Sequence, residues 1–94
     1  MNYSLDFHPK ALKEWHHLND NIRAQLKKKL AERLKNPKVV KDKLKGCEQT
    51  YKIKLKSAGY RLAYQVKDNE LVVLVLVVEK RENDKVYRVL RHRL

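Results

Sequence analysis

The chain has little glycine, two residues in 94, and a single cysteine. Two glycines cannot build the Gly-rich loops that cradle nucleotide phosphates, and no Ser-His-Asp arrangement can be assembled with any specificity, so NTP hydrolysis and acyl transfer are disfavoured. Cys47 has no second cysteine with which to form an internal disulfide or share a zinc site, which agrees with a reducing compartment. Long apolar runs are also missing. The longest, Leu71 to Val78, is far short of the ~20 residues that cross a bilayer and reads as a strand. Met1 to Asp6 has neither the basic start nor the apolar stretch of a secretory signal, so a cytoplasmic location away from membranes is expected. Acidic residues are the minority: 11 Asp and Glu against 23 Lys and Arg leave a net charge of +12. Such a charge suits a polyanionic partner, nucleic acid first.

What remains is enough for one ordered domain over residues 1–94, 43% apolar and 36% charged. Tyr3, Leu5 and Phe7 alternate with polar residues, as in a half-buried strand ending near His8. Pro9 can open a helix, and Ala11, Leu12, Trp15 and Leu18 form its apolar stripe. Asn19-Asp20-Asn21 supplies caps for a second helix over 20–35, striped by Ile22, Leu26, Leu30 and Leu34 and stopped by Asn36-Pro37. Its other faces carry Arg23, Lys27, Lys28, Lys29, Arg33 and Lys35, equally suited to solvent and to phosphate. Residues 38–50 form a basic loop with Lys41, Lys43 and Lys45. Two strands follow around Ser57-Ala58-Gly59, the first with Lys52, Lys54 and Lys56 on one face, the second with Tyr60, Leu62, Tyr64 and Val66 on the other. The unalternating run 71–78 implies a central strand covered on both faces, and Val86, Val89 and Leu90 a short terminal helix. The expected fold is α+β: an antiparallel sheet of about four strands, two N-terminal helices packed on one face and a short C-terminal helix.

A hairpin with an even loop aligns the polar faces of its strands. Lys54 then lies opposite Arg61 and Lys52 opposite Ala63, so three cations share a patch about a nanometre across. Arg81 and Tyr87 can rim it if the tail folds back. Cleavage of an RNA phosphodiester by its own 2′-hydroxyl needs a base, cations for the phosphorane and an acid for the leaving oxygen. Lys, Arg and Tyr can supply all three, because neighbouring cations and partial burial bring a lysine toward the ~7–8 useful for proton transfer. Histidine, the more usual acid–base, sits at His8, His16, His17 and His92, away from this hairpin in sequence. His16 and His17, adjacent on a helix, point about 100° apart and cannot pinch a metal ion, so they read as surface residues.

The segments Ala11-Leu12-Lys13-Glu14-Trp15, Gln25-Leu26-Lys27-Lys28-Lys29-Leu30, Tyr51-Lys52-Ile53-Lys54-Leu55 and Gly59-Tyr60-Arg61-Leu62 resemble the RelE toxins. Lys80-Arg81-Glu82 followed by Val86-Tyr87 resembles their carboxy-terminal pattern, and the likeness spans nearly the whole chain. It implies a metal-free, cofactor-free endoribonuclease that enters the decoding A site of the small ribosomal subunit, cuts messenger RNA by 2′-hydroxyl attack and inhibits translation. It also implies an acidic RelB-like antitoxin as partner. On this likeness Lys52 and Lys54 match base or charge-stabilising lysines, Arg61 and Arg81 phosphate-binding and acid-assisting arginines, and Tyr87 a stacking or proton-handling tyrosine. Lys52, Lys54 and Tyr87 each qualify as the base, with Lys54 preferred. Arg23, Lys27, Lys28, Lys41, Lys43, Lys45 and Lys56 are candidate RNA or ribosome contacts. One departure is Glu79, where the family usually has a small residue: it pairs with Lys80 and points away, or faces Arg81 and holds it off the phosphate.

Blander readings stand beside these. Lys52, Lys54 and Arg61 can form a solvated sheet face, and Trp15, Tyr60 and Tyr64 read as core rather than as platforms for bases. Two rival functions remain, a gyrase-poisoning toxin resembling ParE, which lacks this catalytic set, and a non-enzymatic basic RNA-binding module.

Overall fold

The apolar stripes and caps become helices where the sequence puts them. In the computed structural model, which describes residues 2–80 and 85–94, α1 spans Pro9–His16 and α2 spans Asp20–Lys35. His8 caps α1 through Nδ1, which accepts from the Lys10 N–H at 3.1 Å, and Asn19 caps α2 by accepting from the Ile22 N–H at 2.9 Å. Four strands, β1 (Ser4–Phe7), β2 (Thr50–Leu55), β3 (Tyr60–Lys67) and β4 (Val72–Lys80), form one sheet in the order β1-β4-β3-β2. A terminal helix, α3, covers Lys85–Arg93.

β2, β3 and β4 form the expected antiparallel meander, since short turns join each to the next. The sheet is not antiparallel throughout: β1 pairs with β4 in parallel, Ser4 against Val72 through Phe7 against Val75. Hairpin logic governs only consecutive strands, and the two helices after β1 free it from that constraint.

The core has two layers. On one face α1 and α2 bury Ala11, Trp15, Leu18, Leu26 and Leu30 against Tyr51, Ile53, Leu62, Tyr64, Val73 and Val75, with Phe7 and Trp15 ring to ring at 5.3 Å. On the other, Val86 and Leu90 of α3 and Leu44 of the loop cover Ala63, Leu76 and Val77. β4 is thus the central strand covered on both faces that its unalternating composition implied. Its register against β3 jumps between Ala63 and Tyr64, so a bulge puts Leu76 and Val77 together on the α3 side.

β1 covers only the first half of β4's outer edge. Beyond it, the Glu14 carboxylate accepts from the Val78 N–H at 3.0 Å and Arg93 donates to the Leu76 carbonyl at 2.8 Å. The same Arg93 grips Glu14 with both nitrogens, at 2.8 and 2.9 Å, so one fork ties α3, α1 and β4 together. Among the described residues no helix is long and apolar enough to cross a membrane.

Candidate active site

Strand alternation sends Tyr51, Ile53 and Leu55 into the helix-covered core and leaves Lys52 and Lys54 on the opposite face. The β2–β3 register pairs Lys54 with Arg61 and Lys52 with Ala63, as the even hairpin loop requires. Gly59, at φ +68°, closes that loop in a conformation L side chains rarely adopt. Ala63 leaves room beside Lys52, and α3 lies across the same face with Tyr87 in its first turn.

Arg61 and Tyr87 meet there. Arg61 Nη1 donates to the Tyr87 hydroxyl at 3.2 Å, and the guanidinium carbon is 5.8 Å from the centre of the Tyr87 ring. The Arg61 Nε is buried and has no hydrogen-bond partner among the described residues.

Between the 38–50 loop and α3 runs a cleft of about 770 Å³. Lys41, Lys43, Lys45, Lys52, Arg88 and Arg91 line it together with Tyr87, Cys47, Leu44 and Leu90. No carboxylate is among these lining residues, so its field is of one sign. A smaller groove of about 310 Å³ lies on the far side of β2, lined by Lys54, Lys56, Lys29, Glu32, Arg33, Lys41, Asp42 and Ile53. Lys41 borders both, so the basic track turns around the edge of β2.

Of the residues singled out from the sequence, Lys52 and Tyr87 line the large cleft, and Arg61 joins them through its hydrogen bond to Tyr87. Lys54 shares their strand face but lines the smaller groove. Arg81 lies outside the described residues. Lys41, Lys43 and Lys45 form the cleft's loop wall, and Lys56 accompanies Lys54. Lys27 and Lys28 are exposed on α2 and line neither groove. Arg23 is a correction. Its guanidinium donates to the Trp15, His16 and Leu18 carbonyls at 3.2, 3.3 and 3.0 Å and pairs with Asp20. It serves the carbonyl end of α1 rather than a phosphate.

Glu79 departs from the first expectation, a pair with Lys80, while the second, that it faces Arg81, falls on a residue outside the described ones. Adjacent strand residues face opposite ways, so Lys80 is out of its reach. Glu79 instead lies 3.5 Å from Lys85, at the start of α3, and shares a hydrogen bond with Glu14. Burial first, then the neighbouring Glu14, pushes its carboxyl above the ordinary value. Glu14 goes the other way: burial opposes its ionised form, but Arg93 and the Val78 N–H outweigh that and hold it low.

Sequence reasoning passed over Arg88 and Arg91. Their signal was the spacing Tyr87, Arg88, Arg91, which a helix turns toward one side. It also passed over the partners of Arg33, which lie far apart in sequence.

Residues 5–85 match the family model described as the ParE toxin of the type II toxin–antitoxin system, parDE. The chain is 54% identical over 87 residues to a protein of Escherichia coli named mRNA interferase toxin RelE, with 93% of this chain and 92% of that protein covered. Its fold is similar to that of a mutant E. coli toxin RelE in the free state, with a TM-score of 0.92, 50% identity and coverage of 100% and 99%. It is also similar to a chain of the intact E. coli RelBE toxin–antitoxin complex, with a TM-score of 0.83, 53% identity and coverage of 86% and 99%.

Proposed function

The chain belongs to the RelE-type toxins of the RelE/ParE toxin–antitoxin superfamily, and on that premise we propose that it is a ribosome-dependent mRNA endoribonuclease that inhibits translation. The observation that carries the reading is that Tyr87, hydrogen-bonded to Arg61, lines a cleft together with six cations, Lys52 among them. A gyrase-poisoning role is disfavoured by the 54% identity to a relative named for mRNA interference.

The reaction is an attack by the ribose 2′-hydroxyl on the adjacent phosphorus. The 5′-oxygen leaves, giving a 2′,3′-cyclic phosphate or its opened product. Lys52, Lys54 or Tyr87 takes the hydroxyl proton, and of these Lys52 and Tyr87 share the large cleft. Arg61 and Arg81 carry the charge that builds on the phosphorane and assist the departing oxygen. Such groups titrate as a set, so a pH–rate profile reports the site and not one residue. No metal is needed, because the side chains themselves supply base, cation and acid.

Lys41, Lys43, Lys45 and Lys56 hold the message and the ribosomal decoding site by their phosphates. Residues 1–94 act as one toxin domain, working in the cytoplasm where ribosomes are. Its other partner is an acidic RelB-like antitoxin that keeps the cationic cleft away from the ribosome.

Toeprinting of a short message on programmed ribosomes tests this. Wild type should stop the primer at the decoding site, and ribosome-free RNA should remain intact. Arg61→Ala and Tyr87→Phe should each slow cleavage by about 10²–10³-fold. Intact message throughout would overturn the assignment in favour of a non-cleaving toxin.

A further inference from the structure

Arg33 lies near the C-terminal end of α2, off the apolar stripe, and does not line the large cleft. Its side chain is nevertheless only 16% exposed, because it is spent on three partners from three other segments. Nη1 donates to the Lys52 carbonyl at 3.1 Å and to the Tyr64 hydroxyl at 2.8 Å, and Nη2 donates to Asp42 at 2.6 Å. The Tyr64 hydroxyl in turn donates to the Pro37 carbonyl at 2.6 Å. α2, the start of the basic loop, β2 and β3 are thereby fixed to one guanidinium.

Two of these partners bear on the cleft. β2 is an edge strand, so its outward backbone groups have no neighbouring strand to bond. The loop satisfies part of that edge through a bridge between Lys43 and Tyr51 and a bond from the Leu44 N–H to the Thr50 carbonyl. Arg33 takes the carbonyl that comes next, that of Lys52. Asp42 sits between Lys41 and Lys43, so the same fork anchors the loop wall of the cleft. It also balances the charge of Arg33 beside a strand already crowded with lysines. An ammonium at this position would offer a single nitrogen and could not span these acceptors.

We propose that Arg33 is a positioning residue for the cleavage reaction, setting the backbone of Lys52 and the loop wall in register with Arg61 and Tyr87. The role rests on the mRNA-cleavage reading above. Misplacing a reacting group by about 1 Å can slow a reaction by ~10²-fold. Releasing the Lys52 carbonyl to water frees the edge strand to move on that scale.

The test is single-turnover cleavage of message on programmed ribosomes with the purified toxin in excess, comparing wild type, Arg33→Met, Arg33→Lys and Asp42→Asn. At saturating toxin the plateau rate constant does not respond to an unfolded fraction, which only raises the concentration needed for half-saturation. The expected result is a plateau lowered ~10–100-fold in Arg33→Met. Arg33→Lys should not restore it, Asp42→Asn should lower it by a smaller factor, and half-saturation should shift less than the plateau. If Arg33→Met fails to fold, Asp42→Asn, which keeps an acceptor in place, decides. Unchanged plateaus in an otherwise active toxin overturn the positioning role alone. A wild type inactive on ribosomes overturns the cleavage reading, and the positioning role with it.

Discussion

Lys52 and Lys54 stand two residues apart on one strand face, yet the grooves they line are different, and that separates their expected roles. Lys52 shares its cleft with Tyr87, Arg88 and Arg91, whereas Lys54 shares the smaller groove with Glu32 and Asp42. Lys52→Met should therefore reduce single-turnover cleavage by about 10²–10⁴-fold and Lys54→Met by roughly tenfold or less. The reverse order would move the base to Lys54. Arg23 carries a second prediction at this scale. Because it bonds three carbonyls at the end of α1, Arg23→Ala should lower unfolding stability by about 1–2 kcal/mol and leave the salt dependence of ribosome binding unchanged. Urea denaturation and binding measured across a salt series check the two halves. That Lys52, Lys54 and Arg61 share a face was legible in the sequence, because alternation and an even hairpin loop fix it. The approach of Tyr87 hung on the tail folding back, which neither pattern decides. Arg23 was misread because a helical wheel shows that a cation is off the apolar stripe, and says nothing of a neighbouring helix end turning toward it.

At the scale of elements, α3 is the piece that needs explanation, since nine residues are too few to hold a helix in water alone. Val86 and Leu90 bury one side of it, Lys85 approaches Glu79 at its start, and Arg93 grips Glu14 at its end. Glu14→Ala removes the acceptor of both Arg93 and the Val78 N–H. The expected loss is about 2–4 kcal/mol, with faster amide exchange concentrated in α3. The two carboxyls give opposite pH dependences. Glu14 is held below its ordinary 4.5, so its contribution is complete above that value and fades as pH falls through the lowered one. Glu79 is raised, so the folded state binds the extra proton and stability falls as pH rises from 4.5 through the raised value. Thermal unfolding should thus show a maximum in mildly acidic solution, and Glu79→Gln should flatten the limb above it while leaving the acid limb. The meander and all three helices were legible from period and caps. The parallel pairing of β1 was not, because it joins segments more than sixty residues apart in sequence. Nor was the bulge at Leu76 and Val77, since two apolar neighbours carry no sign of which one breaks the alternation.

For the whole molecule the governing quantity is a net charge of +12, with ten of the 23 lysines and arginines lining one cleft and the groove beside it. Like charges held this close repel one another in the free protein, so a polyanion that fills the track gains both its own attraction and relief of that repulsion. Binding should therefore release counterions and weaken steeply with salt. If about five phosphates of a single-stranded segment are neutralised, a slope near −0.7 per phosphate gives roughly a hundredfold loss of affinity between 50 and 200 mM salt. The chemical step should behave differently. Its cations sit within a partly enclosed cleft, where bulk ions screen less than they do across an open surface. Half-saturation by toxin should thus rise by about two orders of magnitude over that salt range, while the plateau rate constant changes by only a few-fold. A plateau that fell in step with affinity would mean that the reacting phosphate is seated by long-range attraction rather than by Arg61 and its neighbours. The acidic antitoxin should compete for the same charge, so its affinity should follow salt with the same sign, and in parallel with ribosome binding.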